Sequence, residues 1–182
     1  MKYMKLHLGC GKRNFGKDWI HIDASTFDHV KYTNIVKLPF DNNTVDVIYA
    51  SHVISYFDRQ EVNGVLKEWN RVLKKGGILR LAVPDFKSMA KLYVDKNVEL
   101  KYFLGPLYGK MQSGDATIYH KTVYDYDDLT EVLLNNDFGT IRTYDWRETE
   151  HSNIDDHSQA YIPHMDKENG TLISLNVECN KI

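Results

Sequence analysis

The chain has 182 residues, 42% hydrophobic and 26% charged, enough for one domain with one substantial core. A formal net charge of −2 argues against a general nucleic-acid binder, which carries a basic face. Two cysteines, Cys10 and Cys179, make no disulfide framework; with no signal-like apolar region and no run approaching a membrane span, the expected location is a reducing cytoplasm.

No repeat, low-complexity tract or long linker interrupts the sequence. Met4–Leu8 reads as a short buried strand and Trp19–Asp23 as a second. Lys31–Val36 is a candidate third, ending before Leu38-Pro39-Phe40, and Asp41-Asn42-Asn43 is turn chemistry. Val45–Ala50 is apolar enough to be a central strand buried on both faces, with Ser51-His52 at its C-terminal end. Arg59–Lys74 places Val62, Val65, Leu66, Trp69, Val72 and Leu73 at helical spacing. Gly76-Gly77 is expected to stop that helix. Ile78–Val83 is another strand, broken by Pro84-Asp85, and Phe86–Val94 is helical. Asn97–Tyr119 is irregular and aromatic and reads as a substrate-side insertion or lid. Asp127–Asn136 returns to helix, and Gly139–Tyr144 and Thr171–Cys179 are the final strands, a hairpin pair around a long loop. Strands alternating with helices predict an α/β, Rossmann-like doubly wound sheet, mostly parallel, with an antiparallel C-terminal edge strand. The expected domain is one unit over 1–182, with 97–125 and 145–170 as substrate-side insertions.

The most informative stretch is Leu6-His7-Leu8-Gly9-Cys10-Gly11, followed by Trp19-Ile20-His21-Ile22-Asp23. It reads as strand, glycine turn, loop, and a second strand tipped by a carboxylate. Glycines let backbone N–H groups approach a ligand, and an acid at the second strand's tip can accept ribose hydroxyls. In a dinucleotide fingerprint the acid lies about 20 residues after the glycines, and a third glycine packs helix on strand. Here Asp23 comes too early, Lys12-Arg13-Asn14 fill the turn and Gly16 falls too late. A nucleoside without a pyrophosphate relaxes that demand, and S-adenosylmethionine is such a cofactor.

Taken together, LHLGCG, WIHID, LPFDNNTVDVIYASHV and LKEWNRVLKKGGILRLAVPD resemble the class I S-adenosylmethionine-dependent methyltransferases. They are most similar to a bacterial group of small methyltransferases with a short first crossover, associated with surface-polysaccharide biosynthesis. The shared motifs cover roughly the first half of the chain; the tail DDHSQAYIPHMDKENGTLISLNVE looks like that subgroup. The resemblance implies the same fold, and methyl transfer from S-adenosylmethionine, with S-adenosylhomocysteine as product. The acceptor it implies is a small polar or anionic molecule, such as a sugar or phosphate-linked glycan precursor. Neither a nucleic-acid partner nor a resident metal is expected. Other readings are a SAM-binding regulatory subunit without catalysis and an RNA or protein methyltransferase; a nicotinamide oxidoreductase is disfavoured by the glycine-to-acid spacing.

The expected cofactor residues are Leu8, Gly9, Cys10, Gly11, Lys12, Asp23, Asn34, Leu38, Ser51 and His52. Gly9 and Gly11 allow close backbone approach, and Asp23 accepts the ribose diol. Lys12 or Arg13 meets the cofactor carboxylate or stays solvated. Asn34 matches the position where relatives place an acid for the adenine amine, and its amide oxygen can still accept that bond. His52 sits where the fourth strand opens toward the expected methyl position. It is a general base or packs on the methionine moiety. His120 is a second base candidate; Asp85 binds substrate, orients His52 or caps the next helix. Tyr119 and Tyr124 lie at the substrate mouth. The polar tail loop offers Arg147, His164 and Lys167 to an anionic acceptor, or is a solvated loop stabilised by local hydrogen bonds.

Overall fold

A computed structural model describes residues 3–113 and 116–182. Its centre is a seven-stranded sheet built from β1 (Lys5–Leu8), β2 (Trp19–Ile22), β3 (Val30–Tyr32), β4 (Val45–Ser51), β5 (Leu73–Pro84), β8 (Phe138–Thr143) and β11 (Ser174–Lys181). The spatial order is β3-β2-β1-β4-β5-β11-β8. Strands β1 to β5 pair in parallel, while β11 runs antiparallel to both β5 and β8. The helices are α1 (Glu61–Val72), α2 (Phe86–Lys96), α3 (Leu104–Tyr108) and α4 (Tyr126–Leu134). Two small hairpins complete the fold, β6 (Met111–Ser113) with β7 (Ala116–Ile118) and β9 (Tyr161–Ile162) with β10 (Thr171–Leu172).

Alternation along the strands sorts the sheet into two chemically different faces. Leu6, Leu8, Ile22, Ile48, Ala50, Leu79, Leu81 and Val177 join Val62, Val65, Leu66, Trp69 and Val72 of α1 and Leu129 and Leu133 of α4 in the main aliphatic core. Each valine, leucine or isoleucine among them contributes about 1.5–3 kcal/mol by leaving water. The start of α1 is fixed by Asp58, whose Oδ1 accepts the Gln60 and Glu61 amides at 2.8 Å, while Glu61 accepts the Asp58 amide at 2.9 Å, a reciprocal cap. The opposite register carries Trp19, Val47 and Tyr49, packed with Phe15, Ile78 and Tyr144. No helix fits in the short crossover after β1, so loop side chains cover this face. Phe15 lies between His7 and His151, with ring centroids 3.9 and 4.2 Å away.

Three boundaries depart from the sequence reading; the expected final strand Thr171–Cys179 is split, with Thr171–Leu172 pairing with β9 and β11 beginning at Ser174. The third strand ends at Tyr32, because Asn34 Oδ1 accepts the Val36 and Lys37 amides and turns the chain. Helix α1 ends at Val72 rather than at the glycines; Leu73 is already extended, and Gly76-Gly77 lie within β5. The 97–110 segment is anchored by a separate core in which Met89 and Leu92 of α2 meet Phe103, Ile162 and Ile173.

Candidate active site

A cavity of about 860 Å³ opens at the C-terminal ends of β1, β2 and β4, within the range of small-molecule sites and where open α/β sheets gather ligands. Gly9, Gly11, Lys12, Arg13, Asp23, Ser25, Phe27 and Ile35 line one side. Tyr56, Met111, Tyr119, His120 and His157 line the other, with Ser51 and His52 among the remaining lining residues.

The glycine turn is shaped for close approach. Gly9 has φ +63° and a Cβ there would collide with Val53 Cγ2, while Gly11 has φ +52° and its Cβ position meets only Arg13 Nη1, at 4.0 Å. The Gly9 amide donates to Ile22 O at 2.8 Å, tying the turn to β2. Asp23 rigidifies the same corner. Its Oδ2 accepts the Gly11 amide at 2.7 Å and its Oδ1 the Ser25 amide at 2.8 Å, which leaves each oxygen a lone pair for a ligand hydroxyl.

Three imidazoles line the cavity, with His52 near both of the others. His52, with φ +53°, stacks on His157 at 5.0 Å, and its Nε2 lies 3.4 Å from Ser174 Oγ. His120 is 6.3 Å from the His52 ring. Its Nδ1 is 3.0 Å from Pro106 O. A carbonyl can only accept, so this contact places the proton on Nδ1 and leaves Nε2 a bare lone pair. That Nε2 is buried without a protein partner. Burial is the largest cause pushing all three pKa values below the ordinary histidine value. His52 is pushed well below it, with His157, His120 and Arg13 adding to the effect.

Among the residues singled out from the sequence, Gly9, Gly11, Lys12, Arg13, Asp23, Ser51, His52, Tyr119 and His120 line this cavity. The others do not. The Leu8 and Leu38 side chains belong to the aliphatic core. Cys10 is buried, and burial raises its thiol pKa to about 12. Asn34 spends its amide oxygen on its own turn, and Ile35 lines the cavity instead. Asp85 caps α2, accepting the Ser88 amide at 3.2 Å and Ser88 Oγ–H at 2.6 Å. Tyr124 is a core residue with the Arg59 guanidinium over its ring. Arg147 bonds Tyr161 Oη and Lys167 O, Lys167 bonds Asp155 and Gln159, and His164 is exposed outside the cavity. Those tail-loop cations brace the loop itself; Asp156 and His157 are what the loop presents to the cavity. No periodicity marks these two within the polar tail. Tyr56, in the turn after β4, was open to discovery from its place beyond a strand end. Among the described residues, no group of three or more His, Cys, Asp or Glu is placed to hold a metal ion.

Comparison with known proteins is consistent with this geometry. Residues 21–81 match the family model described as a methyltransferase domain. Several solved structures share the fold. A SAM-dependent methyltransferase from Methanosarcina mazei has a TM-score of 0.60 at 16% identity, over 100% of this chain and 94% of that one. One from Archaeoglobus fulgidus has 0.61 at 14%, over 98% and 86%. One from Thermotoga maritima has 0.59 at 16%, over 98% and 82%. No curated protein matches the sequence. The fold is that of these solved SAM-dependent methyltransferases, and the methyltransferase-domain match covers residues 21–81.

Proposed function

We propose that the protein transfers a methyl group from S-adenosylmethionine to a heteroatom, an oxygen by preference, of a small polar acceptor. The residues fit the cofactor: Gly9 and Gly11 line the cavity at positive φ, Asp23 keeps lone pairs for a ribose diol, and Phe27 and Ile35 give apolar surface for a base. When bound, the cofactor supplies an electrophilic methyl group and leaves as S-adenosylhomocysteine.

The observation that carries the oxygen reading is the cluster of His52, His120 and His157 lining the cavity, with the His120 proton held on Nδ1 by Pro106 O. This cluster takes the hydroxyl proton, with His120 as the first residue to test. A neutral imidazole is what this step needs, and burial keeps it neutral below the usual histidine range. His52, stacked under His157, holds the floor of the acceptor pocket. Tyr119 and the β6–β7 hairpin enclose the acceptor from 97–125. The resemblance to small methyltransferases of surface-polysaccharide biosynthesis supports a sugar hydroxyl or phosphate-linked glycan precursor as acceptor, and two free cysteines suit a cytoplasmic setting.

The test is methyl transfer to a panel of sugars, sugar phosphates and amines by wild type and His120→Asn. The expected kcat loss is about 10²–10⁴-fold, with S-adenosylhomocysteine affinity unchanged. The wild-type acidic limb should fall below pH 6.5 and be missing in the variant. Near-normal kcat in the variant would remove His120 from the chemistry.

A further inference from the structure

We propose that the amino-acid end of the cofactor is held between Arg13 of the glycine turn and Asp156 of the tail loop, so that this loop completes the cofactor site. The inference rests on the cavity being an S-adenosylmethionine site.

Asp156 is only 3% exposed and lines the cavity. Its Oδ2 accepts from Tyr49 Oη–H at 2.5 Å, and its Oδ1 accepts the Ser158 amide at 2.8 Å and Ser158 Oγ–H at 2.6 Å. A carboxylate offers about four acceptor sites, so one remains. Among the described residues, no lysine, arginine or histidine forms an ion pair with it. A buried charge without a counter-charge is costly to keep. At the wall of a ligand cavity, the missing counter-charge is one that a ligand can bring.

Arg13 supplies the complement. Its Nε–H donates to the carbonyl of Asp155 at 3.0 Å, fastening the glycine turn to the tail loop beside Asp156. Its terminal nitrogens make no hydrogen bond among the described residues, and they face a cavity that Arg13 lines. Its Nη1 lies 4.0 Å from the position a Gly11 Cβ would take, which places the guanidinium beside the glycine turn. Arg13 and Asp156 form no ion pair with each other. One fixed cation and one fixed anion, held apart on two joined loops, match a ligand that carries both charges on one carbon. The α-carboxylate meets Arg13 and the α-ammonium meets Asp156. This gives the tail loop a different task from acceptor binding, for which Arg147, His164 and Lys167 are not positioned.

The test is calorimetry with four ligands: S-adenosylhomocysteine, its analogue without the α-amino group, its analogue without the carboxylate, and 5′-methylthioadenosine. Wild type should bind the deaminated analogue about 10- to 100-fold more weakly than S-adenosylhomocysteine. Asp156→Asn should weaken S-adenosylhomocysteine by a similar factor and close that gap. Arg13→Gln should close the gap for the decarboxylated analogue. Both variants should bind 5′-methylthioadenosine as wild type does, which shows the nucleoside half intact. Equal wild-type affinity for S-adenosylhomocysteine and the deaminated analogue would overturn the proposal without any variant. So would an Asp156→Asn protein that loses 5′-methylthioadenosine as strongly as S-adenosylhomocysteine, since the role would then be structural. Failure of wild type to bind either nucleoside would overturn the cofactor reading itself, and the proposal with it.

Discussion

His7, His21, His52 and His151 are buried polar residues in and behind the site, and their neutrality is built into the packing. His21 Nε2 accepts the Phe15 amide at 2.9 Å, so that nitrogen carries no proton. Burial is the largest cause in each case, pushing His21 and His151 down to about 4 and His7 and His52 well below the ordinary value. Unfolded histidines protonate near pH 6.5. Between pH 6.5 and about 4 the unfolded chain therefore binds more protons than the folded one. Stability is fully present above this window and falls as pH drops through it, by up to ~1.4 kcal/mol per pH unit for each histidine kept neutral. Urea titrations at stepwise pH should show a falling midpoint from pH 7 to 5, above most carboxylate titration. A flat midpoint over that range would mean that these rings titrate freely.

At the scale of elements, the junction of β5 and α2 separates a cap from a catalytic role. Asp85 sits beyond a strand end, a position that suggests chemistry, but its carboxylate is spent on Ser88. Asp85→Ala should cost about 0.5–2 kcal/mol of stability and leave S-adenosylhomocysteine affinity unchanged; loss of affinity in a folded variant would return Asp85 to the site. Local chemistry made much of the architecture legible. The 3.6-residue spacing of Val62, Val65, Leu66, Trp69 and Val72 marked the buried face of α1, and Gly9, Gly11 and Asp23 marked one wall of the cavity. The rest depends on contacts between distant segments. Nothing near Asn34 signals that its side chain closes its own turn, and nothing in the tail separates Asp156, turned inward by Tyr49, from Asp155, turned toward Lys167.

At the scale of the whole molecule, the unequal faces of the sheet explain how a chain of 182 residues assembles this site. The aliphatic face is closed by α1 and α4. The other is closed by Phe15, His151 and the tail loop, which brings segments from both ends of the sequence to one cavity. Among the described residues no helix is long and apolar enough to cross a membrane. The most direct test of a cofactor site on this scaffold is titration calorimetry of S-adenosylhomocysteine against wild type and Asp23→Ala, with NAD as competitor. Wild type should bind S-adenosylhomocysteine and ignore NAD, and Asp23→Ala, still folded, should lose about 1.5–3 kcal/mol of affinity as the ribose diol loses an ionised acceptor. Absence of binding to wild type, displacement by NAD, or an unchanged affinity in the variant would contradict the account.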